Sequence, residues 1–149
     1  MIPMRILRLF LVVVFVVYGH IVHGTSDQQS NIDIQVKSFY LPSQSDIKVN
    51  KYVFAYTVYI TNHGENGVQL RSRHWQIRDN LGTESSIDGV GVLGMLPYIA
   101  PGETFQYTSG AMIQTEKGFI KGNYGMMDTN GTQFMVEIPE FVLNKNATD

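Results

Sequence analysis

Apolar and polar residues alternate along several stretches of this 149-residue chain, and turn-forming residues separate one stretch from the next. In YVFAYTVYITN, residues 52–62, every second residue from Tyr52 to Ile60 is apolar or aromatic. A period of two places these side chains on one face of a β-strand, whereas an amphipathic helix needs a period of about 3.6 residues. After residue 24 no segment keeps a helical period for more than a turn or two. The chain is therefore predicted to fold from strands.

Six stretches carry this strand signal, and the glycine-rich segment of residues 84–103 can begin on a further strand. The six are residues 32–40, 52–62, 68–79, 104–113, 118–128 and 133–143. Short strands with turn signals about every 8–12 residues are typical of an immunoglobulin-like β-sandwich. We predict an all-β fold, a sandwich of about seven or eight antiparallel strands, with Trp75 in its core.

Breaks in the alternation predict irregular positions within the strands. Apolar residues of segment 68–79 change from even to odd positions, so a β-bulge near Arg71–Arg73 is expected to restore the phase. Pro139 is expected at a sheet edge or a bulge, because proline cannot donate a ladder hydrogen bond. The Asn-Gly pair at residues 130–131 predicts a type I′ hairpin turn.

Residues 1–24 differ from the rest of the chain. Arg5 and Arg8 precede ten apolar residues, LFLVVVFVVY, at positions 9–18. This order is typical of a signal peptide, and the apolar block is shorter than the about 20 residues of a transmembrane helix. A signal peptide or a membrane anchor would make the protein exported, periplasmic or membrane-anchored. A start site assigned too far upstream would make it cytoplasmic, and the intact mass of the expressed protein distinguishes these cases.

The remaining residues are expected to form one domain. We predict a linker at residues 25–30, the sandwich at residues 31–143 and a flexible tail at residues 144–149. A membrane contact would then involve only the N-terminal segment, if that segment is not cleaved.

The composition argues against several classes of function. The chain has no cysteine, which removes disulfides, thiol nucleophiles and cysteine-based metal sites. Its net charge of −2 offers no basic excess for a nucleic-acid partner. Only His63 and His74 follow the N-terminal segment, and their spacing matches no metal-binding pair. We therefore predict no metal, no cofactor and no nucleic acid.

DGVGVLGM contains Gly89, Gly91 and Gly94 in the spacing G-x-G-x-x-G. A dinucleotide-binding fingerprint requires a helix directly after the glycines. Pro97 and Pro101 oppose a regular helix at that place. Two interpretations remain open. The glycines can shape a loop that needs positive φ angles, or successive backbone N–H groups can form a nest for an anion.

The sequence RSRHW brings Arg71, Arg73 and His74 close to Trp75. In one interpretation the two arginines, set by the bulge, clamp a phosphate near the glycine loop. In the other they lie on a solvated strand face and cover apolar surface with their aliphatic stems.

Several long segments, in this order and spacing, resemble the ApaG family of bacterial proteins. They are YVFAYTVYITN, VQLRSRHWQIRD, GVGVLG, IAPGETFQYTSG and GNYGMMDTNGTQFMVEIPEF. The resemblance runs from about residue 31 to residue 143 and implies a fibronectin-III-like sandwich without a proven enzymatic activity. It also implies a connection with cobalt resistance and magnesium efflux, and partner binding of the kind found in eukaryotic F-box proteins that carry related domains. The family has been suspected of binding pyrophosphate through the glycine motif, and the hydrophobic N-terminal segment departs from the family pattern.

Together these observations predict a non-catalytic binding module that acts through a protein partner and is linked to magnesium and cobalt homeostasis. The alternative is a binder of phosphate, pyrophosphate or a nucleotide-like ligand that uses the loop from Gly89 to Gly94 with Arg71, Arg73 and His74. An enzyme that hydrolyses such a ligand is a third possibility, although the chain lacks the G-x-S-x-G nucleophile motif.

Overall fold

A computed structural model describes residues 31–147. The expected signal or anchor at residues 1–24 and the linker at residues 25–30 lie outside the described residues. Among the residues that are described, no helix is long and apolar enough to cross a membrane.

The described chain consists of eight strands and two short 3-10 turns, and the predicted all-β fold is confirmed. The strands are β1 (Ile32–Tyr40), β2 (Tyr52–Asn62), β3 (Val68–Asp79), β4 (Glu84–Val90), β5 (Tyr98–Ile99), β6 (Thr104–Ile113), β7 (Lys117–Asp128) and β8 (Gln133–Asn144). The 3-10 turns, Pro42–Gln44 and Ile47–Val49, lie in the connection between β1 and β2. Since β8 includes Asn144, and Lys145 binds Glu116 through both its N–H and its ammonium group, the chain stays attached to the sandwich beyond residue 143.

Two antiparallel sheets pack face to face. One contains β1, β2 and β6 in the order β1-β2-β6, and the other contains β4-β3-β7-β8, with the short β5 paired to β3 beyond β4. A three-stranded sheet packed against a five-stranded sheet, with all neighbouring strands antiparallel, forms the fibronectin-III-like sandwich. β2 lies at the centre of its sheet, where its even-numbered residues are buried.

Trp75 lies in the core between the sheets, as predicted. Its ring is 5.6 Å from the ring of Tyr56 on β2, 5.9 Å from that of Tyr124 on β7 and 6.1 Å from that of Phe141 on β8. The contact with Tyr56 crosses from one sheet to the other. The indole therefore joins the two layers, since aromatic rings bury large apolar areas at these separations.

Both predicted bulges are present. The register of β3 with β7 shifts between Leu70 and Ser72, so Arg71 is the additional residue. The register of β7 with β8 shifts opposite Pro139, between the pairs of Ile120 and Gly122. β8 is also the last strand of its sheet, so the proline lies at an edge as well as a bulge.

The hairpin after β7 has a different turn from the predicted type I′. Gly131 has a φ of +82°, but Asn130 does not adopt a positive φ, and a type I′ turn requires both. The Asp128 carboxylate accepts hydrogen bonds from the N–H groups of Asn130 and Thr132, at 2.8 and 2.9 Å. Asp79 holds the hairpin after β3 in the same way, so the shared sequence D-x-x-G-T, with a buried aspartate, determines both turns.

A hydrogen bond between two tyrosines also connects the sheets. The hydroxyl of Tyr107 on β6 is bonded to the hydroxyl of Tyr124 on β7, and both side chains are buried. Burial is the main reason that the pKa of each phenol lies well above its ordinary value of about 10. For Tyr124 the nearby Tyr107 raises the pKa further.

This pair predicts a loss of stability in alkaline solution. The folded-state pKa values exceed those of the unfolded chain, so the stabilisation is complete below pH about 10 and falls as the pH rises beyond that value. Ionisation of each phenol in the unfolded chain should lower the free energy of unfolding by about 1.4 kcal/mol by pH about 11. Urea unfolding at pH about 10 and at pH about 11 measures this change. The free energy of unfolding should fall more for the wild type than for the double variant Tyr107→Phe/Tyr124→Phe. An equal loss in both proteins would contradict the prediction.

Candidate functional site

The bulge at Arg71 decides where the predicted arginine and histidine side chains point. Beyond the bulge, Arg73 pairs with the inward-facing Tyr124, whereas His74 pairs with Asn123 on the outer face. Arg71 also lies on the outer face, where its guanidinium is 3.8 Å from the sulfur of Met127. Arg71 and Arg73 therefore lie on opposite faces of the sheet, and the structure does not bring them together as a pair.

Arg73 holds the glycine loop from the inner side. Its Nη1 donates to the carbonyl oxygen of Gly91 at 2.6 Å and to that of Val90 at 3.2 Å. The guanidinium occupies the space beside Gly89, where an added Cβ would lie 2.5 Å from Cζ of Arg73. A side chain at residue 89 would displace the guanidinium, so glycine lets Arg73 keep its bonds to the loop carbonyl groups.

The backbone of the loop favours glycine at the other two positions. Gly91 has a φ of +59°, and an added Cβ would lie 1.9 Å from the carbonyl oxygen of Met95. Leu93 and Gly94 have φ angles of +50° and +75° and form a two-residue turn closed by reciprocal hydrogen bonds between Val92 and Met95, at 2.9 and 3.0 Å. Positive φ at both central residues defines a type I′ turn. Each glycine of the G-x-G-x-x-G pattern thus has a structural reason. The last glycine lies in the turn of a tight hairpin, and the short strand β5 follows where a dinucleotide site would have a helix.

Most of the loop N–H groups already have partners. Gly91 donates to the carbonyl of Arg71, and Val92 and Met95 donate to each other's carbonyl groups. Within residues 31–147, the N–H groups of Leu93 and Gly94 have no backbone acceptor. An anion nest at this loop would therefore have two N–H donors available.

A different property of this segment is its exposed apolar surface, which the sequence analysis missed. Five large side chains are between 43% and 76% exposed, and we call them the apolar loop surface: Val90, Leu93, Met95, Leu96 and Tyr98. Val92 and Ile99, both buried, anchor the segment in the core. The signal in the sequence is VGVLGMLPYI, which has no charged residue and is too apolar for an ordinary solvated loop.

The apolar surface continues onto the outer face of the larger sheet. One row across the four strands, as the register aligns them, consists of Val90, Ser72, Gly125 and Met135. Two adjoining depressions share Ser72 and Met135, and the one that reaches Val90 has a volume of about 480 Å³. The small residues Ser72 and Gly125 lie in the middle of this row, and the apolar side chains of Val90 and Met135 lie at its two ends.

The next row along the outer face is polar. It consists of Asp88, His74, Asn123 and Glu137. Nδ1 of His74 and a carboxylate oxygen of Asp88 are 2.6 Å apart. In a catalytic triad the second imidazole nitrogen contacts a nucleophile. In the described part of the chain, His74 has no hydrogen bond to a serine or threonine, and no three histidine, cysteine or acidic side chains are grouped to hold a metal ion.

Fold and loop together define the class as a fibronectin-III-like sandwich with a glycine-rich loop at one sheet edge. Residues 42–128 match the model of the ApaG domain family. Protein ApaG of Nitrosomonas europaea is 45% identical over 119 residues, which cover 80% of this chain and 94% of that protein. Protein ApaG of Escherichia coli O1:K1 is 50% identical over 110 residues, covering 74% and 88% respectively. The chain belongs to the ApaG family, and the resemblance noted in the sequence is confirmed.

A solved structure agrees with this assignment. The putative ApaA protein from Bordetella pertussis superposes with a TM-score of 0.76 at 44% sequence identity. The match covers 78% of this chain and 95% of that one.

Proposed function

We propose that this ApaG-family protein is a non-catalytic binding module and that a protein partner docks on the apolar loop surface. The observation that carries the proposal is the exposure of five large apolar side chains on a segment that Val92 and Ile99 fix in place. A concentration of exposed apolar side chains on one short segment is typical of interaction sites on soluble proteins.

Burial of these side chains in an interface would favour binding of the partner. Fully burying one large apolar side chain contributes about 1.5–3 kcal/mol. Tyr98 offers a wide apolar ring with a polar end, a combination that is enriched at the centre of interfaces. Met95 belongs to this surface and Met135 lies in the row that continues it, and methionine adapts its flexible thioether to different partner shapes.

The proposed link to magnesium and cobalt then passes through the partner. In the described part of the chain, His74 and Asp88 form a hydrogen-bonded pair, and no three histidine or acidic side chains are grouped to hold a metal ion. A partner that itself handles cations would connect a binding module of this kind with cation homeostasis.

The phosphate-binding alternative has weaker support. Arg73 already bonds to two loop carbonyl groups, and it lies on the opposite face from Arg71. A phosphate would therefore depend on Arg71 and on the N–H groups of Leu93 and Gly94.

Site-specific photocrosslinking tests the docking proposal. A photoreactive phenylalanine derivative at Leu93 or at Tyr98 should give a discrete adduct with the same protein in the cells that produce the chain. Met112 is the matched control position, because it is apolar and 63% exposed but lies on β6, in the other sheet.

The expected result is a strong adduct with one partner protein from each of the two loop positions. The photoreactive residue at position 112 should give no adduct with that partner. The proposal fails if neither loop position gives a discrete adduct, or if Met112 gives the same product in equal yield.

A further inference from the structure

We propose that the partner contributes an extended peptide segment that pairs with the free edge of β4, with an apolar residue beside Val90 and a basic residue beside Asp88. This inference rests on the proposed function and names the form and the chemistry of the docking segment.

β4 is a terminal strand with an available edge. In the sandwich as described, β3 pairs with one side of β4 and no strand pairs with the other side. The register with β3 is continuous from Ser72–Val90 to Arg78–Glu84, without a bulge. A regular terminal strand leaves alternate N–H and C=O groups without a ladder partner, and a further strand can bind to them.

The opposite end of the same sheet is protected. β8 contains Pro139 and a bulge, and both features interfere with the addition of a strand. Ser38 of β1 donates its hydroxyl to the carbonyl of Val142 at 2.8 Å, so β1 closes over this side. β4 contains neither proline nor lysine, which are the residues that commonly block sheet edges.

The edge of β6, in the other sheet, differs in its side chains. Two of its threonines are hydrogen-bonded to threonines of β2, Thr108 to Thr57 and Thr104 to Thr61. Most of its outer face is therefore small and polar. β4 instead continues directly into the apolar loop surface, so a strand added there would also bury apolar side chains.

Charge defines the peptide further. Residues 84–103 contain three acidic residues and no lysine or arginine. On the outer face of β4, Val90 and Asp88 are alternate residues, and the Asp88 side chain is 78% exposed. Opposite charges and apolar pairs on neighbouring strands stabilise a sheet. The matching peptide therefore has an apolar and a basic residue at alternate positions, over a length of about 5–7 residues.

Peptide display on the purified full-length chain tests this inference. Random ten-residue peptides should be enriched for an apolar and a basic residue two positions apart. Hydrogen exchange with the selected peptide bound should show slower exchange of the β4 amides, residues 84–90. Asp88→Lys and Val90→Lys should each weaken binding at least tenfold, whereas the control Met112→Lys should leave it unchanged.

A pair of proline variants tests the backbone contact directly. Successive N–H groups of β4 point alternately toward β3 and toward the free edge. One of the two variants Ser85→Pro and Ser86→Pro therefore removes a hydrogen bond to β3. The other removes an N–H group that would donate to an added strand. The variant that keeps the wild-type melting temperature should lose peptide binding, and unchanged binding would overturn the inference.

Other outcomes separate this inference from the proposed function. Selected peptides that protect the apolar loop surface but not β4 would overturn strand addition and leave the docking proposal intact. A lack of enriched peptides would also overturn strand addition, and crosslinking from Leu93 would still test the docking proposal. A dimer in sedimentation analysis with protected β4 amides would show that a second copy occupies this edge, and it would overturn the peptide proposal.

Discussion

Gly122→Ala is expected to lower the free energy of unfolding by about 3 kcal/mol or more, because there is no room for a methyl group at this position. An added Cβ would lie 2.0 Å from the carbonyl oxygen of His74 and 3.2 Å from Cα of Trp75. Both atoms belong to the backbone of β3, which cannot move away without breaking its pairing with β7. The central strand pair under Trp75 would have to separate.

Gly110→Ala is the matched control for this prediction. Gly110 also lies within a strand, but the nearest atom to its added Cβ is the carbonyl oxygen of Phe54 at 3.5 Å, an ordinary contact. Its free energy of unfolding should change by no more than about 1 kcal/mol. Urea unfolding of both variants measures the difference, and equal effects would contradict the described approach of β7 to β3.

Gly91→Ala is expected to lower the free energy of unfolding by about 3 kcal/mol and to open the hairpin of residues 92–95. The residue combines a positive φ with a Cβ position 1.9 Å from the carbonyl oxygen of Met95, so alanine is strained in two ways. Gly94→Ala is the control, since no atom lies within 4 Å of its added Cβ and only the positive φ opposes alanine. It should cost about 1 kcal/mol.

Urea unfolding and hydrogen exchange of residues 90–98 measure these effects. Similar losses in the two variants would contradict the structural explanation of the glycine motif. Pyrophosphate provides a separate comparison, because a ligand of the folded state raises the melting temperature. An increase in the wild type that disappears in Arg71→Ala would favour the phosphate-binding alternative.

The strands were largely predictable from local sequence. The alternation in residues 52–62 identified β2 with its observed limits, and the change of phase in residues 68–79 located the bulge at Arg71. Pro139 indicated the bulge in β8. Side-chain period and proline chemistry act within a few residues, so a single sequence contains the information they need.

The turns were less predictable, because two local signals compete. Asn130-Gly131 favours a type I′ turn, but the Asp128 carboxylate accepts two backbone N–H groups and selects another geometry. The type I′ turn of the described chain occurs at Leu93-Gly94, where leucine adopts the positive φ that usually favours asparagine or glycine. The adjacent Val92 is buried in the core, and its packing there stabilises this turn.

The candidate site depended even more on contacts between distant segments. Arg71 and Arg73 are two residues apart, and in one interpretation of the sequence they clamp a phosphate together. The bulge instead directs them to opposite faces of the sheet. Whether Arg73 is free for a ligand depends on Gly89 and on the loop carbonyls, which lie 16–18 residues away in sequence.

The sequence by itself determined the all-β class, the family, most strand limits and the positions of both bulges. These follow from side-chain period, turn chemistry and ordered motifs. The tertiary structure alone decided which apolar residues of segment 84–103 are buried and which form the apolar loop surface, and it alone showed that β4 has a free edge. Burial and edge pairing depend on which strands become neighbours, and that information is distributed over the whole chain.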